Sequence, residues 1–179
     1  MKIDINYKFK TIYEKESDAI FRFCLVRVSD REQALDITQE TFLRLWQNLF
    51  EGKEIRNERA FTFTIANHLI IDWYRKKKSI PFHNMKNTNE DGEDMDYDPP
   101  DKLTTNENIF LGAEGRFLLG KIDELSPIYR DPVYLRFVED LSPVEIGKIV
   151  GISTNTASVR INRGLIELRK NTGYSYNKK

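Results

Sequence analysis

The chain has 179 residues, 40% hydrophobic and 31% charged, with 28 basic and 28 acidic side chains for a net charge of +0. This composition suits one domain or two small ones in a soluble protein and excludes a low-complexity chain. No apolar run approaches the ~18–20 residues of a membrane span and the first residues carry no secretory segment, so a cytoplasmic protein without membrane insertion is expected.

Residues 7–28 read as an amphipathic helix, with Phe9, Ile12, Tyr13, Ile20, Cys24 and Val28 near one stripe. Cys24 is the single cysteine, and its only histidine companions are His68 and His83. An internal disulfide and a Cys/His zinc cluster are thereby excluded, and no metal or cofactor is expected. Cys24 itself reads as a small buried hydrophobe.

Ser29 and Asp30 interrupt the pattern, and either can cap a second helix over residues 31–49. Its inward set is Ala34, Ile37, Thr41, Phe42, Leu45, Trp46 and Leu49; Asp36, Gln39, Glu40 and Arg44 face out. A loop at residues 51–53 leads to a third helix that starts at Asn57, a natural cap, and runs to about Lys78. Phe61, Ile65 and Leu69 set its stripe. That helix ends Asp72-Trp73-Tyr74-Arg75-Lys76-Lys77-Lys78. Cations suit a helix C-terminus through the macrodipole, while aromatics beside a basic run also suit base stacking with phosphate contacts.

The zero net charge divides unevenly. Residues 1–80 hold 15 basic and 12 acidic side chains (+3), residues 81–110 hold 2 and 8 (−6), and residues 111–179 hold 11 and 8 (+3). Residues 87–101 alone carry seven acids, no base and almost nothing apolar. Such a segment buries too little surface to offset chain ordering, which predicts a flexible acidic linker and a domain boundary.

Residues 111–125 are again helical in pattern, with Phe117, Leu118, Ile122 and Leu125 inward, closed by Ser126-Pro127. Because a proline inside a helix removes a hydrogen bond at a cost of ~3 kcal/mol, the next helix is expected to start at Asp131-Pro132 and reach about Glu139. It would pack Val133, Leu135 and Phe137 or Val138. Residues 141–170 then form two helices around a tight turn. Ser142, Pro143 and Glu145 make a capping box with proline at the first position, and Gly151 is the left-handed stop. Ser153 or Thr154 caps a helix that buries Ala157, Ile161, Leu165 and Leu168. Asn155, Thr156, Val159, Asn162, Arg163 and Lys170 lie opposite. This is the layout of a helix-turn-helix that offers its second helix to the major groove; the competing reading is an ordinary solvated helical hairpin. A tail begins at Gly173. The fold class is all-α: two small helical domains joined by a flexible acidic linker, the second a helix-turn-helix.

The run Asp30-x-x-x-Ala34-Leu35-Asp36-Ile37-Thr38-Gln39-Glu40-Thr41-Phe42-Leu43-Arg44-Leu45-Trp46 resembles the second conserved region of bacterial RNA polymerase sigma factors, in particular the small extracytoplasmic-function group of the sigma-70 family. Phe61 to Lys76 looks like the rest of that region, and residues 141–168 look like the family's fourth region. The resemblance implies residues 1–80 as a core-polymerase and minus-ten unit, 81–110 as linker and 111–179 as a minus-thirty-five unit.

Carried over by position, the resemblance makes Asp36, Gln39 and Glu40 the face that docks on the polymerase clamp helices, with Phe42 and Leu43 beside it. The loop at 50–59 and the helix after it match the part that captures an unpaired minus-ten base and holds the opened strand. That assigns Arg56, Asn57, Phe61, Asn67, His68, Trp73, Tyr74, Arg75 and Lys76 to minus-ten DNA. Thr154, Asn155, Thr156, Ser158, Val159, Arg160, Asn162 and Arg163 fall to the minus-thirty-five element. Two positions depart from the family pattern. His68 stands where Asn is usual, and Ser158-Val159 where a basic residue followed by Ser is common.

The implied function is an alternative sigma factor that binds core RNA polymerase, recognises promoter DNA and assists its opening, with an anti-sigma protein as a further expected partner. No enzyme and no small-molecule substrate are expected, since the chain has no phosphate-binding glycine loop, catalytic carboxylate pair or nucleophile–base set. The alternative is a helix-turn-helix regulator that acts without being a polymerase subunit.

Overall fold

Asp4 accepts a hydrogen bond from the Asn6 amide and starts α1 (Ile5–Val28), which stops where Ser29 turns left-handed. Asp30 then caps α2 (Arg31–Phe50) by accepting from the Gln33 amide, so both residues of the expected break are used. Asn57 accepts from the Ala60 amide at 2.9 Å at the head of α3 (Glu58–Lys77). The computed structural model describes residues 4–77 and 113–172. The acidic stretch and the tail from Gly173 lie outside them. Among the described residues there are seven helices and no strand, which matches the all-α expectation.

The second half holds α4 (Ala113–Asp123), α5 (Pro127–Phe137), α6 (Pro143–Val150) and α7 (Thr154–Thr172). Two expectations give way here. In α4, Phe117 and Leu118 are exposed, and Leu119 is buried beside Ile122 and Leu125 instead. α5 begins at Pro127 and runs through Pro132 instead of starting at Pro132. Pro127 sits at the first helical turn, where its missing N–H costs nothing. Pro132 forfeits one bond, to the carbonyl of the half-exposed Ile128, while its neighbours Val133 and Leu135 are fully buried. Packing outweighs the break. Phe137 is half exposed and Val138 partly buried, so Val138 is the inward residue at that end.

Around α6 the local signals all operate. Ser142 Oγ accepts from the Glu145 amide, the Glu145 carboxylate accepts from the Ser142 amide at 2.7 Å, and Gly151 closes the helix at φ 79°. A left-handed residue there turns the chain sharply into α7, and glycine adopts it without strain. Ser153 caps α7 by accepting from the Thr156 amide at 3.1 Å.

α1, α2 and α3 pack around Ile20, Phe23, Leu45, Phe63 and Ile70, and the later helices around Leu125, Val133, Leu135, Ile146 and Ile149, all of them essentially without exposure. These two sets do not stand apart. α6 lies against α3, and the Tyr134 ring of α5 lies tilted at 5.9 Å from Phe23, which also meets Phe63 at 5.4 Å. The consequence is visible in α3. Its core is Ala60, Phe63, Ala66 and Ile70 as well as Ile65 and Leu69, and Phe61 is only partly buried. A helix apolar on nearly all sides needs partners on both, and α6 is the second. Cys24 is wholly buried, and that burial pushes its thiol up to about 12, an unreactive group at neutral pH.

Candidate nucleic-acid and polymerase interface

The outer face of α7 is open. Thr154, Asn155, Val159, Asn162 and Arg163 are exposed, and Thr156 and Ser158 are half-buried. They lie opposite Ala157, Ile161 and Gly164, which bury the helix. Two hydroxyls are tied locally: Ser158 donates to the Thr154 carbonyl at 3.0 Å, and Thr156 pairs with Ser153 at 2.8 Å. Arg160 is half-buried on the flank and engaged within the protein. Arg163 and Asn162 thus project free side chains from the middle of the helix, as groove reading requires.

On α2, Asp36 and Gln39 are exposed and Leu43 is half exposed, while Glu40 accepts from Arg44 at 2.7 Å. Phe42 does not belong with them. It is 3% exposed, edge-on to Tyr13 at 4.8 Å and to Phe9 at 6.4 Å. The i, i+4 run of Thr38 and Phe42 points inward, so Phe42 supports the face from beneath. Further along, Trp46 stacks on Phe50 at 5.2 Å, and Phe50 stays mostly in water.

The expected minus-ten set splits. Arg56, Asn57, His68, Arg75 and Lys76 are exposed; Phe61 and Trp73 are half-buried. Lys77 stands 4.7 Å over the Trp73 ring and Lys53 5.7 Å over Phe61. Arg75 is held by Asp72 at 2.7 Å. Two members face inward. Tyr74 is buried, edge-on to Trp73, with its hydroxyl donating to the Arg27 carbonyl, so it is not a free stacking platform. Asn67 is 4% exposed and donates to the Ile149 carbonyl of α6 at 2.9 Å. A cleft of about 460 Å³ opens beside the loop before α3, between Thr11, Lys15 and Glu16 of α1 and Arg56, Asn57 and Arg59.

A charged cluster joins the two halves. Glu139, 2% exposed, accepts from the Tyr134 hydroxyl at 3.0 Å and from Arg59 at 3.2 Å, and lies 3.5 Å from Arg22. Arg59 also donates to the Glu139 backbone carbonyl at 2.9 Å and pairs with the buried Glu16 at 3.4 Å. Arg27 of α1 is ion-paired with Asp131 of α5, both buried. Burial first, then the Glu139 charge and hydrogen bond, holds the Tyr134 hydroxyl well above the usual tyrosine range. At the rim, Asn57 donates to Glu145 at 2.7 Å. Partial burial acts to raise the Glu145 carboxyl, but hydrogen bonds from Ser142 and Asn57 and the charge of Arg59 together hold it below its ordinary value. One signal was present in the sequence. Glu16 and Arg27 fall on the stripe of Ile12, Ile20 and Phe23 at helical spacing, where a charge must find a partner.

With this geometry in place, the relatives are informative. The model of sigma-70 region 2 matches residues 12–80, and that of sigma-70, region 4 matches residues 118–168, together more than half of the chain. The ECF RNA polymerase sigma factor SigW of Bacillus subtilis is 29% identical over 90% of this chain and 87% of its own. SigX of the same organism, also an ECF RNA polymerase sigma factor, is 28% identical over 90% and 82%. Among solved structures, the sigma factor RpoE in complex with the anti-sigma factor NepR from Bartonella quintana shares the fold. Its TM-score is 0.64 at 17% identity, covering 96% of this chain and 99% of that one.

Proposed function

The chain belongs to the sigma-70 family of RNA polymerase sigma factors, in its extracytoplasmic-function group, and from that premise we propose how its surfaces divide the work of an alternative sigma factor. Such a factor acts with core RNA polymerase at promoter DNA. It supplies binding and positioning, and the polymerase supplies the covalent chemistry. The single observation that carries the assignment is the pairing, in one chain and in family order, of an open polar face on α2 with an open outer face on the second helix of a helix-turn-helix, α7.

Asp36, Gln39, Glu40 and Leu43 are the polymerase-docking surface, with Phe42 buttressing them from the core. The cleft beside Asn57 and Arg56 is where an unpaired minus-ten base enters, and Phe61, Trp73, Arg75 and Lys76 follow the opened strand by stacking and phosphate contacts. Arg163 and Asn162 read minus-thirty-five base edges, and Arg160 belongs to the phosphate-facing flank. Residues 1–80 and 111–179 act as two DNA-binding units tethered by 81–110. Each binds weakly, and tethering both to one enzyme makes the second contact effectively intramolecular. The site of action is the cytoplasm, where polymerase and promoter are, and no helix among the described residues is long and apolar enough to cross a membrane. An anti-sigma protein is the regulator this family membership favours.

Replacing Gln39 and Glu40 together by Ala tests the docking surface. Both side chains reach solvent, so folding should be kept while affinity for core polymerase falls. Unchanged core binding would remove these residues from the interface.

A further inference from the structure

We propose that α1 forms a second wall of the strand-holding site. Tyr7 is a stacking platform for the unpaired base beside the one in the cleft, and Lys15 anchors the phosphate between them. The inference rests on the reading of the cleft as the entry of an unpaired minus-ten base, and it adds α1 to that surface.

The composition of the helix start is the first support. Residues 5–15 hold three lysines and three aromatics against one acid. Phe9 and Tyr13 are used in packing, since both meet Phe42 on the inner side of α1. Tyr7 points the other way, is 70% exposed and touches no other ring among the described residues. A tyrosine ring in water is a ready platform for a nucleobase, because every base has a π-face.

Position is the second support. Tyr7, Thr11 and Lys15 follow one another at i, i+4 and i+8, so they form one stripe along α1. Thr11 and Lys15 line the cleft opposite Arg56 and Asn57, and Thr11 Oγ donates to the Tyr7 carbonyl at 2.9 Å. Tyr7 therefore stands ~6 Å along the helix axis from the cleft wall at Thr11. That is about the step between neighbouring bases of an extended single strand. The register of the two walls is held by Glu58 of α3, which pairs with Lys8 at 2.8 Å.

Charge is the third. Carboxylates stand near the stripe, but each is matched. Glu58 has Lys8, Glu14 lies 3.7 Å from Lys10, and the buried Glu16 pairs with Arg59. Lys15, 75% exposed, reaches Glu16 only at 4.0 Å, and Arg56, 90% exposed, reaches Glu54 only at 3.9 Å. Both cations stand largely in water, one on each lip of the cleft, on the path of a strand that passes from the loop to α1. An aromatic platform beside cations that track a phosphate backbone is the arrangement single-strand binding uses.

The test uses the full chain with a labelled short oligothymidylate, and with the same oligomer carrying abasic sugars in place of its bases. In fluorescence anisotropy, Tyr7→Ala should bind oligothymidylate about tenfold more weakly than wild type, the size of one lost stack, while Tyr7→Phe keeps wild-type affinity. Neither change should alter binding of the abasic oligomer. Lys15→Ala should weaken both oligomers and lower the slope of affinity against salt by about one charge. Oligothymidylate with a single 5-iodouracil should photocrosslink to Tyr7, as read by peptide mass mapping. Unchanged oligothymidylate binding by Tyr7→Ala, an equal loss on the abasic oligomer, or no crosslink at Tyr7 would each overturn the proposal. Weaker core-polymerase binding by Tyr7→Ala with oligothymidylate binding unchanged would give the stripe to the polymerase instead. Arg75→Ala and Lys76→Ala separate this inference from the reading it rests on. If they weaken oligothymidylate binding and Tyr7→Ala does not, the path along α3 stands and the α1 wall falls. If only Tyr7→Ala and Lys15→Ala weaken it, α1 holds the strand and the α3 path falls.

Discussion

The side-chain amide of Asn67 donates to the backbone carbonyl of Ile149 at 2.9 Å, from the middle of α3 to the last turn of α6. Carbonyls in a final helical turn lack an intrahelical partner, so Asn67 satisfies from another helix what α6 cannot satisfy itself. Asn67→Ala should therefore cost about 1–3 kcal/mol, the penalty of a buried acceptor left unpaired. Asn67→Asp should cost more, since a carboxylate oxygen would face that carbonyl. Urea unfolding checks both, and a loss of Asn67→Ala within experimental error would mean that water replaces the amide at no penalty.

Glu145 predicts an acid-sensitive step. Its folded-state carboxyl is held below the ordinary 4.5, so the carboxylate form is favoured by folding. The stability it contributes is present above the unfolded value and is lost as pH falls through the lowered folded one. The difference in melting temperature between wild type and Glu145→Gln should therefore be largest near neutral pH and shrink towards acid. A difference that stays constant with pH would show that the charge plays no part.

Gly164 lets α7 approach α5. A Cβ there would lie 2.5 Å from Val133 Cγ2 and 3.0 Å from Tyr129 Cβ. Val133 is fully buried and has no room to withdraw, so Gly164→Ala should destabilise by about 1–3 kcal/mol and tilt the reading helix. Thermal melts and minus-thirty-five duplex affinity should fall together. Unchanged affinity with a lowered melting temperature would place the strain away from the DNA face.

Arg163 and Arg160 should behave differently. Arg163 is exposed among the expected base-facing residues, and Arg160 is half-buried on the flank. A bidentate arginine–guanine pair contributes ~1–3 kcal/mol of discrimination, so Arg163→Ala should relax one promoter position. Arg160→Ala should weaken all sequences alike and reduce the salt dependence. Selection from a promoter library decides between them, and an unchanged base preference for Arg163→Ala removes it from direct readout.

Much of this was legible because local signals act locally. Asp30, Asn57, Ser142 with Glu145, Gly151 and Ser153 each mark a helix end, and each performs that role in the structure. The outward faces of α2 and α7 followed from helical spacing, which also put Phe42 inward; its place beside the docking face came from the family resemblance. What escaped was set by tertiary contact. Pro132 inside α5 is tolerated because Val133 and Leu135 are buried around it, which no single-helix cost predicts. Asn67 and Tyr74 read as surface chemistry but are turned inward by α6 and by the Arg27 carbonyl. Glu139 looked like an ordinary helix end, and its importance depends on Arg22 and Arg59, 117 and 80 residues away.

As a sigma factor, this chain should direct core RNA polymerase to promoters. Run-off transcription on a genomic promoter library, with core polymerase alone and with the purified chain added, tests it most directly. Discrete transcripts should appear only with both present and should share sequence elements near minus ten and minus thirty-five. DNA binding by the chain at specific sites, without core binding or new transcripts, would contradict it and make the protein a regulator of the helix-turn-helix kind.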